Sequence, residues 1–64
     1  MDVRFEDHGS QWLARPLTAA AQAWIREHVS IDAQYSGGAL VIEPRHVPDI
    51  YRGMTEAGLA VQTP

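Results

Sequence analysis

Residues 35–47, YSGGALVIEPRHV, carry the reading on which the fold depends. Two glycines stand directly before an apolar run, and an arginine-histidine pair stands directly behind it. Ala39 to Glu43 has strand length and no alternation, which suits a central strand better than an edge. The period changes in RHVPDIYRGMTEAG, residues 45–58. Val47, Ile50, Tyr51, Met54 and Ala57 recur at steps of 3, 1, 3 and 3, the stripe of an amphipathic helix. Pro48 belongs in its first turn, where a missing amide costs nothing. Gly58 follows the stripe where a left-handed cap belongs, with Leu59 folding back on Met54 in a Schellman arrangement. Gly53 interrupts the helix at a cost of about 1 kcal/mol against alanine, and either admits a close neighbour or is tolerated. Leu59 to Gln62 then reads as the last strand, and strand, helix and strand together fit a right-handed parallel crossover.

Upstream, residues 30–38 (SIDAQYSGG) read as a connection, with Ile31 and Tyr35 as candidate anchors and Gly37-Gly38 as a flexible turn into the strand. PLTAAAQAWIREHV, residues 16–29, is the clearest helix. Thr18 is a good N-cap because its hydroxyl can accept from an otherwise unpaired amide, and Leu17 stands where a hydrophobic staple would begin. Leu17, Ala21, Trp24, Ile25 and His28 mark one face, with Trp24 as the largest core contribution. Val3 to Asp7 alternates as a half-buried strand does. Asp7-His8-Gly9-Ser10 is turn chemistry, and Gln11 to Arg15 is a second extended run before Pro16. This predicts an N-terminal hairpin, with Trp12 facing either side. The order is β-β-α-β-α-β without repeat or linker, so residues 1–64 are expected to form one α+β domain. The architecture expected is a small two-layer sandwich, about four strands with two helices on one face.

A chain of 64 residues buries only about 60% of the surface its unfolded form exposes. Without cysteine there is no disulfide framework and no Cys-rich zinc site. His8, His28 and His46 are scattered without ligand spacing, so no metal or other cofactor is expected. What remains is well-packed elements or self-association, which makes a homodimer an alternative. The formal charge is −3, and all five basic residues are arginines spread along the chain near acids. A nucleic-acid binder clusters its basic groups, because phosphate neutralisation dominates its affinity; DNA and RNA are therefore not expected as partners. The longest apolar run, Ala39 to Ile42, is far short of a membrane span. No basic-then-apolar leader opens the chain, so a soluble, cytoplasmic protein is expected.

The opening stretch resembles chemistry only in part. A dinucleotide fingerprint needs the strand first, then Gly-x-Gly-x-x-Gly, then a helix N-terminus. Here Gly37-Gly38 precedes the strand, and the strand exit has no glycine. Glu43 and His46 have Glu-x-x-His spacing, which shares a face only on a helix, and Pro44 falls between them. Arg45 and His46 lie at a strand exit beside a helix start, where an anion could meet Arg45 and the first amides. The plainer reading is a solvated helix start with Glu43 or Asp49 pairing Arg45. Asp7, His8 and Ser10 contain the residue types of a hydrolytic triad, but neighbours in one turn cannot form the relay. His28 reads as a structural histidine at a helix C-terminus, where the dipole favours a cation.

Arg45, Asp49, Arg52 and Glu56 recur at steps of 4, 3 and 4 with alternating sign, either a solvated face of weak ion pairs or a charge-coded docking face. Phe5, Trp12, Trp24, Tyr35 and Tyr51 are more rings than so short a chain encloses comfortably. Trp12 and Tyr35 lie outside the helical stripes, and either close the ends of the core or stand at a surface as partner contacts.

Leu-Thr-x-Ala-Ala-x-x-Trp, from Leu17, and Gly-Gly-Ala-Leu-x-x-Glu, from Gly37, resemble small uncharacterised proteins of proteobacterial genomes and their phages, over residues 16–61. The resemblance implies a tiny soluble accessory protein of the kind that binds and blocks a host protein, including inhibitors of host defence. The function expected is thus a non-enzymatic protein-protein interaction module with a host protein as partner. Its contacts would come from Trp12, Tyr35, Asp49, Arg52 and Glu56. The alternatives are a small-ligand or enzyme-accessory domain using Arg45 and His46 as an anion site, and a structural homo-oligomer.

Overall fold

The structure, a computed structural model, describes residues 1–30 and 32–64. Ile31, read above as an anchor of the connection, lies outside the described residues. Among the described residues there are five strands and two α-helices. They are β1 (Val3–Asp7), β2 (Trp12–Pro16), α1 (Ala19–His28), β3 (Tyr35–Ser36), β4 (Ala39–Ile42), α2 (Val47–Glu56) and β5 (Val61–Gln62), with a 3₁₀ turn at Pro44–His46 leading into α2. The strands form one mixed sheet in the order β3-β4-β2-β1-β5. The chain is an α+β fold, as its pattern of elements implies.

The N-terminal hairpin forms as expected, with Phe5 opposite Ala14 and Asp7 opposite Trp12. Its loop closes through the His8 amide, which donates to the Gln11 carbonyl (2.9 Å), while the Asp7 carboxylate accepts from the Gly9 amide (2.9 Å). β4 runs antiparallel to β2 with Ile42 opposite Trp12 and Leu40 opposite Ala14, and so has a neighbour on each side.

Residues 35–38, just before β4, form a hairpin where Gly37-Gly38 was expected as a flexible turn. Tyr35 and Ser36 pair with Leu40 and Ala39 as a fifth strand, and both intervening glycines take positive φ (+56° and +82°). Two consecutive left-handed residues make a type I′ turn, whose twist matches that of the strands it joins. The glycine pair is thus the corner of a hairpin, and its two-residue strand is too short to show a period in the sequence.

The last strand also differs from expectation. It begins at Val61 and pairs in parallel with β1, Val3 opposite Val61. β4 and β5 do run in the same direction, but β2 and β1 lie between them. Hydrophobic pattern specifies that a strand is buried, not which neighbour it takes.

Alternation sorts the sheet into two faces. Val3, Phe5, Ala14, Leu40 and Ile42 belong to the single core, which Ala21 and Ile25 of α1 and Met54 of α2 complete. Both helices therefore cover the same side of the sheet. Thr18 caps α1, accepting from the Ala21 amide at 3.2 Å. α2 ends as its sequence predicts: Gly58 has φ +87°, its amide donates to the Thr55 carbonyl, and the Leu59 amide donates to the Met54 carbonyl. These are the two bonds of the Schellman motif.

Two details of α1 correct the reading of its apolar stripe, and a third bears out the close neighbour expected at Gly53. Leu17 is 45% exposed, so no staple forms. Trp24 is half-buried at the border of the core, and the fully buried side chains are smaller. Gly53 explains where Trp24 goes: a Cβ on Gly53 would lie 2.9 Å from Trp24 Cζ2. The missing side chain lets the indole lie across α2. His28 stacks on the indole (4.4 Å, 13° between planes), and its Nδ1 donates to the Trp24 carbonyl at 2.9 Å.

Candidate functional site

Three regions of the surface hold the chemistry-bearing residues. The first is the outward side of α2, which packs by β5, taken with Tyr35 of the β3–β4 hairpin at the opposite edge of the sheet. Asp49 and Arg52 pair at 3.6 Å, both well exposed, and Glu56 is exposed one helical turn on. Arg45 does not join this row, because its Nε is 3.2 Å from Glu43. Tyr35, held in β3, is 53% exposed. Tyr51 is 39% exposed, with its ring edge-on to Phe5 at 6.3 Å.

Trp12 is half-buried on the helix side, its ring edge-on to Phe5 at 6.5 Å. Its register with Ile42 aims the ring at the core, so its main role is to close the end of the sheet. The pairing that decides this is invisible in a segment whose two faces are nearly equally apolar. The structure thus gathers Asp49 and Arg52 together and places Trp12 and Tyr35 apart, one packed and one on the surface.

The second region is the start of α2. His46 is its N-cap residue and makes no side-chain cap, and Arg45 and His46 are exposed, but the Val47 amide donates to the Pro44 carbonyl and Pro48 has no amide to offer. The 3₁₀ turn separates β4 from α2, and the His46 amide is already given to the Glu43 carbonyl at 2.9 Å. Glu43 competes for Arg45, as the plainer sequence reading holds.

The third region was not singled out in the sequence. On the side of the sheet away from the helices, Arg4, Glu6, Leu13, Arg15, Ala39 and Val41 form one surface. The Glu6 carboxylate accepts from Arg15 Nε (3.0 Å) and Nη2 (3.4 Å) and from His8 Nε2 (3.1 Å), and Arg4 Nε lies 3.4 Å away. Hydrogen bonds from Arg15 and then His8, with the charges of Arg15 and Arg4, hold the Glu6 carboxyl down to about 2. Glu6 in turn raises the Arg15 guanidinium above its ordinary value. Arg15 also donates from Nη1 to the Gly37 carbonyl at 3.1 Å. Its side chain therefore runs from β1 to the β3–β4 turn and lies beside Ala39, the next step of the β2–β4 register. Leu13 and Ala39 are buried on this side although no helix covers it.

The signal for this cluster is in the sequence, but only once a register is assumed. Arg4 and Glu6 share a face by alternation, and Arg15 joins them only if Arg4 lies opposite it. Neither cavity nor cluster of metal-ligating side chains occurs among the described residues. No helix among them is long and apolar enough to cross a membrane.

No family model matches the chain, and neither a curated protein nor a solved structure matches it.

Proposed function

We propose that this chain is a non-enzymatic protein-binding module. The observation that supports it best is Tyr35: a large amphipathic ring, over half exposed, held in place by a two-residue hairpin turn. A side chain whose backbone is already fixed has less freedom to lose when a partner covers it, and Tyr is among the residues that dominate interface energies. The exposed row of Asp49, Arg52 and Glu56 on α2 is a separate charged surface for such a partner, away from β3. The resemblance to small phage and proteobacterial proteins extends the proposal to an inhibitor of a host defence protein, acting in the cytoplasm. Its acidic side would cover a basic groove on the target.

The test is a tagged pull-down from host lysate, followed by binding measurements on the dominant partner. Tyr35→Ala should weaken binding at least about fivefold, the equivalent of about 1 kcal/mol, with the melting temperature unchanged. If neither this change nor charge reversal at Asp49 and Glu56 alters binding, the reading fails.

The second reading is an anion site at Arg45 and His46, favoured by the uncapped first turn of α2. Titration of inorganic phosphate should then shift the His46 ring resonances and leave those of His28 in place.

A further inference from the structure

We propose that the open side of the sheet is a second docking surface, and that it takes an acidic segment of a protein partner. This goes beyond the Tyr35 reading and rests on different residues. Elsewhere the ion pairs among the described residues are one-to-one: Arg45 with Glu43 and Arg52 with Asp49. On the open side three basic side chains, Arg4, Arg15 and His8, converge on the single carboxylate of Glu6. Counting only the two guanidiniums against this carboxylate leaves a local excess of one positive charge, in a chain of formal charge −3. Of the acids in or bordering these strands, Asp7 lies opposite Trp12 on the helix side and accepts from the Gly9 amide (2.9 Å), and two others are engaged elsewhere. Asp2 accepts from Thr18 Oγ1 (2.9 Å) and the Ala60 amide (2.8 Å), and Glu43 is paired with Arg45.

The groups are also presented in a fixed array. Arg15 is held at both ends, by Glu6 and by the Gly37 carbonyl, so little side-chain freedom remains for it to lose. Arg4 is the group with capacity to spare: among the described residues its guanidinium makes no side-chain hydrogen bond, only the 3.4 Å approach to Glu6. Leu13 and Val41 lie opposite one another in the adjoining strands, with Glu6 opposite Leu13 on the other side. A segment that alternates acidic and apolar residues fits this surface, with a carboxylate on Arg4 and His8 and an aliphatic side chain over Val41. A second copy of the chain fits it less well, because two such faces would bring like excess charge together.

The probe is a capped peptide alternating glutamate and leucine, titrated into the isotope-labelled full chain and followed by amide NMR shifts. The expected result is saturable shifts at Arg4, Leu13, Arg15 and Val41, with no comparable effect from a matched lysine-leucine peptide. Arg4→Gln should weaken this binding about fivefold, whereas Tyr35→Ala should leave it unchanged. Shifts confined to α2, equal binding of both peptides, or no shift would overturn the proposal. Tighter binding of a single-stranded oligonucleotide at these same amides would also overturn it, since the surface would then be reading phosphate.

Discussion

Glu6 accepts from Arg15 and His8 on a side of the sheet that water reaches, and its carboxyl is held at about 2 against an ordinary 4.5. The folded chain therefore refuses a proton that the unfolded chain accepts. The stabilisation is complete above the ordinary value and is lost as pH falls from about 4.5 through about 2. Asp2, lowered by the Ala60 amide and then by the Thr18 hydroxyl, acts in the same direction. Urea midpoints measured from pH 6 down to 2 should fall less steeply in Glu6→Gln than in the parent. High salt should shrink the difference, because these groups are exposed and screened. A parallel pair of curves would exclude Glu6 from the acid response. Gly53 is the other residue whose effect can be signed. Alanine gains about 1 kcal/mol in helix propensity, but its Cβ would meet the Trp24 ring, and overpacking costs about 1–3 kcal/mol. Gly53→Ala should destabilise by about 1 kcal/mol net in urea unfolding and displace the His28 ring resonances, since His28 stacks on the same indole. A gain in stability would mean that the ring moves aside without cost.

Between elements, two short features set the geometry. Thr18 serves the Ala21 amide at the start of α1 and also donates to Asp2, whose carboxylate reaches the Ala60 amide just before β5. One small cluster thus joins the helix start, the first strand and the last. Thr18→Ala should cost about 1–2 kcal/mol, the upper part of the range for a lost N-cap. In a double-mutant cycle its effect should be far from additive with that of Asp2→Ala, because both remove the same hydrogen bond. The β3–β4 turn requires two left-handed residues. Gly38→Ala should destabilise by about 1 kcal/mol, while Gly37→Asn should be neutral, since Asn-Gly is the preferred I′ pair. Equal effects at the two positions would indicate a different turn. The hairpin also explains why β3 was not legible. A two-residue strand has no period to read, and the Gly-Gly pair that announces a turn does not say what lies on its far side.

For the molecule as a whole, 4087 Å² of surface is close to the about 4,100 Å² expected of a folded monomer of its mass, 7.1 kDa. A second copy is thus not needed to make the chain compact. Sedimentation at micromolar concentration should give the monomer mass, and a melting temperature that rises with protein concentration would restore the homodimer reading. The positions of Thr18, Pro48 and Gly58 announced where helices start and stop, because capping is a local matter between a side chain and amides a few residues away. The α+β class and the burial of β4 followed from periodicity for the same reason. The side that Trp12 faces, the neighbour of β5 and the meeting of side chains at Glu6 are not legible in local pattern, since each depends on a partner far along the chain. The sequence by itself determined the two helices with their starts and stops, and the strands β1, β2 and β4. Only the tertiary structure decided that β5 pairs with β1, that Trp12 turns inward, and that three basic side chains meet on one carboxylate. Register and strand order are long-range choices made by packing, and a local pattern is compatible with more than one of them.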